Sequence, residues 1–541
     1  MIKLRQLTTL SAIGWLTLII LSTGVSCCEA GAQTSEPVPM PPINLENQDR
    51  SVRDAIEAAR GEFDQVAAQT DDPVRLGYAY ATLGRWYHAH GLVEAATASY
   101  RNALALAGDQ SEWHYLLAIL LSSQGQFASA REHLTRSLDL DPLYPPALIR
   151  RARIDLQDGR LDEAASDLNR ALQLRPESAA AMAEKGHLAL ELGKHEDAVD
   201  WLTKALEIDP AANQLRGPLA IAYRNLGDQD QASRQREMSG TLAPAVVDPV
   251  LASVSALSRS SQYYFESGIE ALQRGHSDQG IELLERAVEL NPEDGHYLEV
   301  LARQLFELGK MEAAAARFNE FLELDPDQAV GLYYLGRIAL YSDQGEVAER
   351  LFKRALALKP GNRNLEEWLA RSLLVQQAFD QAADRYQSLA DHSDGEDRVY
   401  ALYWQGMSLI GAGRCAQSAP VLESALRESE QLHGWGLLAL ARVHAACPDF
   451  DQADPQQALL WAARLYEANH GVETAATMAM VHAALGQFED AVGYQAEALF
   501  AAANRHQYQH GADLNQNMAR YGEEKPALRP FSPQDPVFAR Y

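Results

Sequence analysis

Three arginines, Arg303, Arg337 and Arg371, stand 34 residues apart, and each directly follows a small residue, Ala302, Gly336 or Ala370. A guanidinium presents its donors in a rigid fork that pairs a carboxylate bidentately, so a stack of them suits a ligand carrying repeated carboxylates. Aromatic residues lie in the same stretches: Tyr333, Tyr334, Trp368, Tyr403 and Trp404. Rigid rings supply contact area at low entropic cost, and together with the arginines they make a candidate partner-binding surface. The competing reading is structural. Glu299, Glu307 and Glu367 are close enough in sequence to pair with these arginines internally, and many of the aromatics could simply pack.

Catalytic chemistry is not indicated. The sequence has no Gly-rich phosphate loop, no HExxH, no GxSxG elbow and no paired-cysteine metal motif, so neither an enzyme nor a resident cofactor or metal is expected. Its 15 histidines are scattered rather than spaced as ligands. Acidic pairs such as Asp162-Glu163 and Glu196-Asp197 open helical patterns, where the helix dipole favours them. A net charge of −27 argues against nucleic acid, which needs a basic footprint. Four cysteines are present. Cys27 and Cys28 belong to the N-terminal segment discussed below. Cys415 and Cys447, 32 apart, are either a disulfide or two buried thiols.

What positions these residues is a repeat. Ala147–Pro176 and Ala181–Pro210 superpose at an offset of 34: Gly159 on Gly193, Ala164 on Ala198, Leu168 on Leu202, Ala171 on Ala205 and Pro176 on Pro210. Within each copy apolar residues recur at helical spacing before and after the glycine, which marks two amphipathic helices around a turn. The closing proline stops the second helix. Five glycines, at 91, 125, 159, 193 and 227, keep strict register. The register breaks between Gly240 and Ser260, then resumes with Gly275 and Gly309 and with Pro292, Pro326 and Pro360. That break could be a longer connection, a kink or a boundary; a bend within one continuous array is the reading adopted.

On the small residues Ala152 and Ala164, the large Leu168, the small Ala171 and the closing Pro176, the chain resembles the tetratricopeptide repeat family. The resemblance implies an all-α fold, an α-α superhelix of about twelve helix-turn-helix repeats. It also implies that first helices line a concave face. The position after the small residue, which holds Arg85, Arg153, Arg303, Arg337 and Arg371, would then point inward. Ala81 and Ile149 depart from the polar clamp that some members use for peptide C-termini.

The ends read differently. Lys3 and Arg5 precede an apolar run from Ala12 to Leu21, the pattern of an export signal over residues 1–30. Cys27 is a candidate lipidation site, with cleavage after Ala30-Gly31-Ala32 or an uncleaved anchor as alternatives. Residues 31–50, with four prolines between Pro37 and Pro42, read as a disordered tether. Repeats are expected over 51–239 and 261–504, joined by 240–260, with a capping helix and extended tail over 505–541. The functional expectation is an exported scaffold, periplasmic or held to a membrane only through its N-terminus, that binds a protein partner or extended peptide in its groove. Alternatives are a scaffold for polysaccharide secretion or envelope assembly, with an anionic polysaccharide as ligand, and an accessory subunit of a membrane-bound enzyme.

Overall fold

The computed structural model describes residues 38–429, 434–448, 450–504 and 511–539, so the expected signal and Cys27 lie outside the described residues. Among the described residues there are 27 α-helices and no strand. None of these helices is long and apolar enough to cross a membrane.

One repeat shows how the pattern works. The helix Ala329–Tyr341 is followed by the helix Gly345–Leu358, and Phe352 of the second lies fully buried against Gly336 of the first. A Cβ built on Gly336 would lie 2.6 Å from the Phe352 ring, so only a bare backbone admits that side chain. Small and large residues 16 apart recur in this role: Gly186 faces Leu202 and Gly406 faces Leu422. The turn between helices needs a left-handed residue, and Gly309 supplies it at φ 73°. Lys310 N then donates to Leu305 O across the turn at 2.9 Å. The next two copies keep this turn without glycine, with Asp343 at φ 55° and Gln377 at φ 58°.

The chain divides into two compact units. The first holds residues 52–258 with the described residues up to Asn47, and the second holds 259–541 with 48–51. The boundary falls at the end of the break in register, and residues 240–258 belong to the first unit.

Two segments expected to be free are docked. In the tether, Val38 N donates to Asn102 Oδ1 at 2.6 Å and Asn102 Nδ2 donates back to Val38 O at 2.9 Å. Asn102 is fully buried, so its amide needs such partners, and Met40, Ile43 and Leu45 add apolar packing. At the other end, the helix Gly511–Gly522 caps the second unit, and the tail beyond it turns back onto the repeats. Phe531, Val537 and Phe538 are buried there, and the tail closes in a 3-10 turn, Pro536–Ala539, instead of staying extended. Apolar side chains in a tail favour such docking over exposure.

Candidate partner-binding grooves

The arginine ladder sits on consecutive first helices of the second unit: Gly295–Glu307, Ala329–Tyr341 and Arg363–Val375. Its rungs are interleaved with rings. Trp368 lies between Arg337 and Arg371, whose Cζ atoms are each 4.8 Å from its ring. Arg337 also stands 4.6 Å from the Phe306 ring and donates from Nη1 to the Tyr333 hydroxyl at 3.2 Å. Arg371 pairs with Glu367 at 2.9 Å and donates to the Tyr400 hydroxyl. Arg303 reaches Glu299 at 3.6 Å. The internal pairing weighed against ligand binding is thus present on two of the three rungs. Arg337 has no carboxylate partner among the described residues. Stacking of this kind contributes about 0.5–2 kcal/mol per contact, more where water is excluded.

The aromatic residues divide between two roles. Tyr334 stacks on the buried Phe318 at 4.9 Å and belongs to the core, and Trp368 is almost fully buried. Tyr403 and Trp404, on the helix Gly395–Gly411, instead line a cavity of about 670 Å3. Arg371, Tyr400, Leu426 and Trp435 also line it, together with Val537 of the docked tail and the carboxylates of Glu367, Glu396 and Asp397. Burial raises the Tyr400 hydroxyl above its usual pKa against the opposing charge of Arg371, so it stays neutral. Arg371 Nε and Arg337 Nε are buried donors without an acceptor. Among the described residues no cluster of His, Cys, Asp and Glu could hold a metal ion.

Both units hold a segment of their own chain against first helices and the neighbouring helix ends. In the first unit the segment runs backward along the repeats. Gln214 N donates to Leu242 O at 3.1 Å, Ala245 N to Asp209 Oδ2 at 3.0 Å, and Arg175 Nη1 to Val247 O at 3.1 Å. Asp248, buried, accepts from the hydroxyls of Tyr115 and Tyr144 and stands 3.5 Å from Arg150. Arg85 then donates to Ser253 Oγ at 2.6 Å. In the second unit Arg442 is buried, pairs with Glu473 at 2.7 Å, and stacks 4.6 Å from the Phe531 ring of the tail. Phe538 meets Phe379 edge-on at 4.9 Å.

Arg442 was missed in the sequence, although it follows the small Ala441 as Arg85 follows Gly84. The two copies between Arg371 and Arg442 are each slightly longer than 34 residues, which shifts it out of that count. At this position Arg85 and Arg442 touch the segment lying on their own unit, whereas Arg153 pairs with Glu184 at 2.6 Å. Cys415 and Cys447 are paired in the structure, with Cα atoms 5.8 Å apart, and link the helices Cys415–Glu428 and Gly434–Ala446.

The family model for the tetratricopeptide repeat matches residues 74–145, 149–213, 265–329 and 333–397. A curated relative, the human Protein O-mannosyl-transferase TMTC1, is 24% identical over 183 residues, which is 29% of this chain and 21% of that protein. The chain thus spans about a fifth of that relative's length. Among solved structures, the Cut9-Hcn1 hetero-tetramer of APC/C is 17% identical, covering 85% of this chain and 95% of that one at a TM-score of 0.31. The P58(IPK) TPR domain is 17% identical, covering 76% and 98%, with a TM-score of 0.29. MamA is 21% identical over 29% of this chain and 91% of its own, with a TM-score of 0.27. Scores this low add nothing to the assignment, which rests on the repeat model and on the helix pairs, glycine turns and small-to-large packing described above. The chain belongs to the tetratricopeptide repeat superfamily, and its fold is that of a protein-interaction scaffold.

Proposed function

We propose that this protein is a non-catalytic scaffold of the bacterial cell envelope, holding an extended segment of a protein partner on the first helices of its second unit. The observation that carries the reading is the position after the small residue. There Arg85 donates to Ser253 on the short helix Pro249–Ser255 and Arg442 stacks on Phe531 of the tail, and Arg337 and Arg371 occupy the same place on neighbouring helices. A cavity lined by Trp404, Tyr403, Trp435 and Leu426 would take apolar side chains. The envelope assignment rests on the export-type N-terminus, with Cys27 as the lipid attachment, and on a disulfide that suits an oxidising compartment.

An anionic polysaccharide loses ground as the ligand, because Arg303 and Arg371 already face Glu299 and Glu367 and the chain carries −27. The test is in-cell photo-crosslinking from Trp435 at the cavity, with Lys353 on a second helix as the control site. The reading expects a protein adduct from position 435, absent from 353 and lost when Trp404→Ala is added. Adducts from 353 alone, or one indifferent to Trp404→Ala, would place binding elsewhere. Fractionation of the mature chain with the cytoplasm would remove the envelope half of the proposal.

A further inference from the structure

The cavity of the second unit is lined by four repeat helices and by one residue that no repeat supplies. The helices are Arg363–Val375, Gly395–Gly411, Cys415–Glu428 and Gly434–Ala446, and the residue is Val537, in the 3-10 turn Pro536–Ala539 of the tail. That turn is held from several sides. Phe538 is buried and meets the Phe379 ring at 4.9 Å, Phe531 stacks on Arg442 at 4.6 Å, and Asp535 Oδ1 accepts from Val537 N at 2.9 Å. The turn also packs on the helix Arg363–Val375. A side chain flanked by such anchors keeps its position, so Val537 acts as a wall of the cavity rather than as a loose cover.

The lining separates by chemistry. Tyr403, Trp404, Leu426, Trp435 and Val537 supply rings and aliphatic surface, with Trp435 about half exposed. The charged groups are Arg363, Arg371, Glu367, Glu396 and Asp397. Both guanidiniums are already ion-paired, Arg363 with Asp397 and Arg371 with Glu367, so neither is offered to an acidic ligand. Three carboxylates against two guanidiniums leave the lining with a negative sum, in a chain whose net charge is −27. Glu396 and Asp397 are exposed in the first turn of their helix, so a charge beside the cavity meets carboxylates first. A volume of about 670 Å3 has room for a large side chain with backbone on either side of it. We infer that the cavity takes an aromatic side chain of the partner segment, set against Val537, with a basic residue of the same segment beside it at Glu396 and Asp397. Rings meeting Trp404, Tyr403 and Trp435 edge-on or offset supply the contact, and the carboxylates choose the neighbour. The tail stays in place as part of the site, and residue 537 sets which side chains enter. This inference deepens the proposed function and rests on it, and it replaces the carboxylate-bearing ligand that the spacing of the arginines suggests.

The experiment uses the full chain and three N-acetylated dipeptide amides, tryptophanyl-lysine, tryptophanyl-glutamate and alanyl-lysine, titrated by saturation-transfer NMR. Probes this small bind in the millimolar range. Tryptophanyl-lysine should saturate and alanyl-lysine should not. Tryptophanyl-glutamate should bind about two- to fivefold more weakly than tryptophanyl-lysine, a gap that added salt closes. Val537→Trp, which keeps Phe531 and Phe538 as anchors, fills the cavity from the tail side and should weaken tryptophanyl-lysine at least about tenfold. Equal binding of the tryptophanyl and alanyl probes, a preference for glutamate, or unchanged binding to a Val537→Trp chain of unchanged circular dichroism overturns the inference. Should that variant unfold, hydrogen exchange of the unaltered chain decides. With tryptophanyl-lysine at about ten times its dissociation constant, the Val537 and Phe538 amides should exchange about tenfold more slowly, and unchanged exchange there overturns the inference. A protein adduct from position 435 without binding of either tryptophanyl probe would reject this inference and leave the scaffold reading standing. Probe binding as expected, with no adduct from 435, would keep the pocket and reject the protein partner.

Discussion

Replacing Gln377 with glycine should stabilise the second unit by about 0.5–1 kcal/mol. Gln377 holds φ at 58°, where its Cβ crowds the following carbonyl at a cost of roughly 1–2 kcal/mol. Glycine removes that cost but adds about 0.5–1 kcal/mol of unfolded-state entropy, and the difference is the expected gain. Nothing else changes at the site. Gln377 is exposed, and the turn already has the glycine form, with Ala378 N donating to Leu373 O at 2.8 Å as Lys310 N does to Leu305 O at 2.9 Å. Asp343→Gly should gain less, because aspartate visits this conformation more readily. Gly309→Ala, the reverse change at φ 73°, should cost about 1–2 kcal/mol. Repeat arrays unfold in parts, so urea titration should be read with hydrogen exchange of the helices Arg363–Val375 and Phe379–Asp391. A gain of 1 kcal/mol slows exchange there about fivefold. If Gln377→Gly is neutral or destabilising while Gly309→Ala costs nothing, the left-handed turn is not where the repeat stores strain.

Gly336→Ala should lower the melting temperature, because its new Cβ would sit 2.6 Å from the buried Phe352 ring, an overpacking worth about 1–3 kcal/mol. Gly493→Ala, with nothing within 4 Å, should be neutral or stabilising in the same assay. Burial, helped by the charge of Arg150, holds the His88 imidazole down to about 4. The unfolded chain protonates near 6.5, so the stability of the first unit should fall as pH drops from 6.5 to 4, by about 3 kcal/mol at most, and level off below. Denaturation across that range should show the slope, and His88→Phe should flatten it. Non-reducing mass analysis should find Cys415 and Cys447 in one linked peptide pair, and reduction should cost about 3–4 kcal/mol for a loop of 32 residues. Two alkylatable thiols would dispose of the bridge.

How much of the molecule was legible follows from range. Gly159, Gly193 and Gly309 mark their turns in the sequence because a left-handed residue is a local demand. The turns at Asp343 and Gln377 carry no such mark and form because the helices on either side require them. The ladder position was legible too, since one repeat places Arg337 after Gly336 as another places Arg371 after Ala370. Its neighbours were not, because Trp368 stands between two arginines only when successive repeats stack. Tyr334 reads as a groove aromatic, and its stacking on Phe318 against the core is visible only in the packing.

The repeat period, the helix pairs, the small-to-large contacts and the acidic surface were determined by the sequence alone, because each depends on residues within about one repeat. Tertiary structure decided which segments cover the repeats. The segments around Val38, Asp248 and Phe538 have no periodicity to announce them, and proline-rich stretches without a partner read as linkers. Only when distant repeats bring Asn102, or Tyr115 with Arg150, or Phe379 into place does each find the hydrogen bonds and buried surface that outweigh the entropy of holding it there.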